Sequence, residues 1–108
     1  MTPRGQGLRR VEAEIVAEKA ATLGRAGERL ERALLEVHAL AARHAAAGSD
    51  AERAQLAAAY EAARARAAAA RLTLVIQREA VGLRHHRDVD RQFPEPPPLG
   101  RRGPAAPP

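Results

Sequence analysis

The stretch ARHAAAGSDAERAQL, residues 42–56, decides how this chain folds. Alanine-rich sequence on both sides suits a helix, but Ala47, Gly48 and Ser49 interrupt the apolar spacing, and Glu52 follows Ser49 at a distance of three residues. That pair is a capping box, in which the serine hydroxyl accepts a first-turn backbone N–H and the glutamate reaches back to an N–H ahead of it. One helix therefore ends near Ala46, another begins after Ser49, and so short a connection makes them antiparallel.

Upstream, Leu8, Val11, Ile15, Val16, Leu23, Leu30, Leu34, Val37 and Ala41 recur mostly at helical spacing, which predicts a helix from about Leu8 to Ala46. Downstream, the second helix runs to about Val81, where Gly82 offers the left-handed conformation that closes a helix. If the turn acts as a mirror, residues whose numbers add to about 97 face each other. Ala41 then meets Leu56, Val37 meets Tyr60, Leu34 meets Ala63, Leu30 meets Ala67, Gly27 meets Ala70, Leu23 meets Leu74 and Val16 meets Val81. Large side chains meet small ones along the middle, as dense packing requires. We expect Val16, Leu23, Leu30, Leu34, Tyr60, Leu74 and Val81 to be core. Within helix one, Gly24 and Gly27 each cost about 1 kcal/mol relative to alanine. Gly27 lies on the seam and lets the backbones approach, whereas Gly24 points away and marks a bend; the alternative is a break into two helices.

The chain of 108 residues allows one domain, divided as a disordered arm over residues 1–7, a helical hairpin domain over 8–93 and a disordered proline-rich tail over 94–108. The absence of cysteine excludes disulfides, thiolate catalysis and cysteine metal fingers. Neither an apolar signal core in residues 1–7 nor a membrane-length apolar run is present, the longest being 72–76, so we expect a cytoplasmic protein without a membrane anchor. The net charge of +5 does not sit on the hairpin: residues 11–83 carry ten basic and ten acidic groups, and the excess lies at Arg4, Arg9 and Arg10 and from Arg84 onward. A nucleic-acid interface is a basic face on the folded part, and here only the ends are basic.

Two helices bury one stripe each and leave Leu72, Val75 and Ile76, with Leu8, Val11 and Ile15, at the open end. Either the segment after Gly82 returns as a short helix carrying Leu83, Val89 and Phe93 before Pro94 stops it, or a second copy completes a four-helix bundle by two-fold symmetry.

The stretches EKAATLGRAGERLE, residues 18–31, and VIQREAVGLRHHRDV, residues 75–89, resemble a family of small, uncharacterised, helical bacterial proteins classed as a domain of unknown function. The resemblance spans about residues 11–93 and implies a helical protein with no assigned activity. Where that family carries an Asp-Ser pair to cap a short helix, this chain has His85 and His86, and histidine caps poorly.

His85 and His86 with Asp88 and Asp90 have the residue types of a metal cluster, but adjacent histidines diverge and a zinc site needs three convergent ligands, so we read a solvated turn. His38 and His44, six apart, do not share a helix face. Lys19, the sole lysine, falls near Arg78 on the mirror rule, within reach of Gln77 or Glu79; we read a cross-helix ion pair, since a nucleophilic lysine needs a pocket. Residues 94–98 have the composition to dock in a proline-recognition groove, although low complexity is the simpler account.

Taken together, the residues predict an all-α antiparallel hairpin with a short C-terminal return helix, completed to a bundle by dimerisation. We expect a non-enzymatic interaction and self-association module without cofactor or metal, a homodimer, using Leu72, Val75, Ile76, Leu83 and Phe93 with Lys19, Gln77, Arg78 and Glu79. The alternatives are weak nucleic-acid binding through the basic ends, and a small ligand- or metal-binding protein. Stacking on single strands has only Tyr60 and Phe93 to draw on.

Overall fold

The computed structural model describes residues 4–100, so the expected disorder of 1–3 and 101–108 lies outside the described residues. The described chain is all-α: α1 spans Arg4–Ala45, α2 Asp50–Ala80 and α3 Arg87–Gln92. The two long helices pack against each other as the expected hairpin. The turn forms as its residues dictate. Ser49 is extended (φ −146°, ψ 159°), and its hydroxyl accepts the Glu52 N–H at 3.1 Å. The Glu52 carboxylate accepts the Gly48 N–H at 3.1 Å, one residue further back than in the usual reciprocal bond.

At the far end, Gly82 takes φ 94°. Its N–H donates to the Glu79 carbonyl and the Leu83 N–H to the Arg78 carbonyl, each at 3.0 Å, the paired bonds of a Schellman motif. α1 begins at Arg4, inside the segment expected to be disordered, and passes Gly24 and Gly27 without a break. A Cβ built on Gly27 meets nothing within 4 Å, so the seam needs no close approach there, contrary to expectation.

The core follows the two stripes. Ala26, Leu30, Leu34, Val37 and Leu40 from α1 are buried, as are Leu56, Tyr60, Ala63, Ala67, Ala70 and Leu74 from α2. Leu23 packs against them. Leu30, Leu34, Val37 and Leu40 of α1 stand against three alanines from the middle of α2, a large-against-small arrangement that lets the helices interdigitate. Val16 and Val81 are corrections: they were expected in the core but stay 66% and 36% exposed. The reason is length. α2 ends at Ala80, and every residue of α1 from Gly5 to Ala21 is exposed.

Beyond Gly82 the chain turns back along α2. α3 forms without a side-chain cap, buries Val89 in the core and leads into residues 94–99, which lie on α2 rather than extending into solvent as a free tail.

Candidate functional site

Two features of the surface have the chemistry of interaction, and the first is the α1 half of the open apolar end expected from sequence. It lies on the projecting part of α1. Leu8, Val11 and Ile15, at i, i+3 and i+7, share one helix face and remain 61%, 50% and 48% exposed. An isolated helix of this length gains little stability from its own hydrogen bonds, and among the described residues nothing buries the apolar stripe on it.

The residues expected to form one interface are scattered. Leu72 and Ile76 are 59% and 54% exposed, but each lies two positions, about 200° round the helix, from the buried Leu74, on the face away from the seam. Val75 is half-buried, Phe93 packs against the core, and Leu83 lines a separate groove of about 340 Å³ with Leu23, Gly24, Gly27 and Phe93. Lys19 is exposed and has no ion pair among the described residues, so the expected link to Gln77 or Glu79 is absent. Gln77 is half-buried without a side-chain hydrogen bond among the described residues, and Glu79 stands 3.9 Å from His86 Nε2.

Arg78 is used inside the chain. Its guanidinium donates to the His85 carbonyl at 3.1 Å, to both Asp88 carboxylate oxygens at 2.9 and 3.0 Å, and from Nε to His86 Nδ1 at 3.2 Å. With Nδ1 accepting, a neutral His86 carries its proton on Nε2, which is buried without a hydrogen-bond partner. Desolvation would raise the Asp88 carboxyl, but attraction to Arg78 and hydrogen bonds from Arg78 and the backbone outweigh it and hold the group below the ordinary carboxylate value.

The second feature is the clasp that this arginine begins. Arg64, Arg71 and Arg78, seven apart, stand on one stripe of α2, and each holds the returning chain: Arg71 donates to Asp90 at 2.6 and 3.1 Å, and Arg64 Nε donates to the Pro96 carbonyl at 2.9 Å. Beside Arg64, the Tyr60 hydroxyl donates a short bond to the Pro97 carbonyl, and the Glu61 carboxylate accepts the Leu99 N–H at 3.3 Å. Burial pushes the Tyr60 hydroxyl above the ordinary tyrosine value; Arg64 offsets part of that shift and Glu61 adds to it. Sequence reasoning passed over the clasp because it gave Arg78 to an interaction surface and gave Arg64 and Arg71 no role. Their heptad spacing opposite Asp88 and Asp90 was the available signal.

The metal-type residues are thus drawn apart: Asp88 pairs with Arg78 and Asp90 with Arg71. Among the described residues no three metal-ligating side chains converge, and no helix is long and apolar enough to cross a membrane. Compared with protein-family models, with curated proteins and with solved structures, the chain matches none of them.

Proposed function

We propose that the protein is a non-enzymatic interaction module that self-associates through the projecting part of α1. The observation that carries this reading is the exposed stripe of Leu8, Val11 and Ile15 on a helix whose residues from Gly5 to Ala21 are all exposed. These three side chains keep about half or more of their apolar surface in water, so burying each contributes on the order of 1 kcal/mol. A symmetric pair then gains roughly 6 kcal/mol against an association cost of similar size, which makes the complex weak and dependent on concentration. Charge supports a parallel arrangement. With Leu8, Val11 and Ile15 at the a, d and a positions of a coiled coil, Glu14 takes a g position and Lys19 the following e position, the pair that meets across a parallel dimer. The lone lysine acquires a role there that the single chain does not give it. The family resemblance of residues 18–31 and 75–89 is compatible with this reading and adds no activity.

The experiment is solution mass by sedimentation over a hundredfold concentration range, for the full chain and for a variant carrying Val11→Asp and Ile15→Asp. We expect mass to rise toward a dimer in the first and to stay monomeric in the second. A wild-type chain that is monomeric throughout, or a variant that still dimerises, would overturn the assignment.

A further inference from the structure

We propose that the Tyr60–Arg64 face of α2 is a recognition site for an extended proline-rich peptide, filled in cis by residues 94–99 and able to take such a peptide from another chain when the return segment lifts off. The argument starts from the donors and acceptors of the segment. Pro96, Pro97 and Pro98 have no N–H and offer only carbonyls, and Leu99 is the first residue after them that regains a donor.

The face of α2 matches that sequence of groups in register. The Arg64 guanidinium and the Tyr60 hydroxyl donate to the carbonyls of Pro96 and Pro97, and the Glu61 carboxylate accepts the N–H of Leu99. Donors stand where the segment has acceptors alone, and an acceptor stands where its donor returns. Glu95, Pro96 and Pro97 each precede a proline, which disfavours helical backbone and preforms the extended shape, so docking costs little conformational entropy. The Pro96 ring is buried, which adds apolar contact to the polar register.

Two further observations point to exchange. Beside residues 93–96 a groove of about 680 Å³ stays open along Arg64, Ala65, Ala68 and Arg71 of α2, so the chain's own segment leaves part of this face uncovered. Val89 anchors α3 in the core, and the polar part of the tether is Arg71–Asp90 and Arg78–Asp88, whose carboxylate side chains are 60% exposed, so beyond α3 residues 94–99 are held chiefly by their bonds to Tyr60, Glu61 and Arg64. This site is independent of the α1 stripe and stands or falls without it.

The test uses the full-length chain with Pro96→Ser and Pro97→Ser, and a synthetic peptide of the sequence FPEPPPLG, residues 93–100. Tyr60, the single tyrosine, reports release: its ultraviolet titration should move down toward the ordinary tyrosine value in the variant. The released chain should bind the peptide at least tenfold more tightly than wild type. Adding Tyr60→Phe and Arg64→Ala, or replacing the three consecutive prolines of the peptide by alanine, should remove that gain. If the serine variant loses helicity, Arg71→Gln with Arg78→Gln and Val89→Ala releases the return segment and leaves Tyr60, Glu61 and Arg64 in place for the same titration. An unchanged tyrosine titration, a released chain that binds no better than wild type, or equal binding of the alanine peptide would overturn the proposal.

Discussion

Leu30→Ala tests the seam on which both surfaces depend. Leu30 is 2% exposed, and the nearest stretch of α2 on the mirror register offers Ala63, Ala67 and Ala70. Leucine-to-alanine changes in cores cost about 2–5 kcal/mol, more where the neighbours cannot move in to fill the space. Three facing alanines have no side-chain length to give, which places this substitution in the upper half, at about 4 kcal/mol. A small domain is stable by roughly 5–15 kcal/mol, and a hairpin with a single seam belongs at the low end, so the variant should be close to unfolding at room temperature. Leu35 is the control: five residues on and 62% exposed, its change to alanine should cost less than about 0.5 kcal/mol. Urea unfolding followed by helical circular dichroism measures both. Equal losses at the two positions, or a loss below about 1 kcal/mol at Leu30, would refute a single buried seam.

Other consequences follow from the caps, the glycines and the clasp. Ser49→Ala removes the acceptor for the Glu52 N–H and should lower stability by about 1 kcal/mol in the same assay. Gly24→Ala meets no atom within 4 Å on a continuous helix and should raise stability by up to about 1 kcal/mol; a loss would mean that the groove beside it is occupied. Because Asp88 ionises more readily in the fold than in the unfolded chain, its contribution is fully present above the ordinary carboxylate value and disappears as pH falls through its depressed folded value. The protection factor of the Phe93 amide, which donates to the Val89 carbonyl, should therefore fall on acidification, and Asp88→Asn should flatten that dependence; an equally steep profile in the variant would remove Arg78–Asp88 as its cause.

The hairpin was legible because its signals are local and agree with each other. Ser49 and Glu52 place the turn, Gly82 places the end of α2, and the apolar spacing of Leu30, Leu34, Leu56 and Leu74 identifies the buried faces. The mirror rule failed only where one helix outlasts the other: Val16 and Val81 fit the pattern, but a pattern does not record that α2 stops at Ala80. Tertiary detail past Gly82 was less visible. A proline run reads as unstructured because it makes no ladder of its own, and only the donors of Tyr60 and Arg64 on another element give it a place. The intrachain bonds of Arg78 were hidden for a related reason. A charged residue in a recognisable segment suggests a partner, whereas here the partner is Asp88, ten residues further along the same chain.

The path of the return segment also removes an apparent choice. A short C-terminal helix and a second copy of the chain looked like alternative covers for one open end. Successive contacts run from Arg78 with Asp88, through Arg71 with Asp90, to Tyr60 with Pro97, so the segment travels toward the hairpin turn and away from Leu8, Val11 and Ile15. It completes the body of the molecule and leaves the projecting helix bare. A lone helical stretch of this length frays in water unless its apolar face is covered. Helicity should consequently depend on concentration: dilution below the dimerisation range should remove roughly a fifth of the helical signal, with amide exchange confined to α1 upstream of Leu23. A helical signal that stays constant on dilution, in a chain shown to be monomeric, would mean that the projecting helix is stable alone and that its exposed stripe demands no partner.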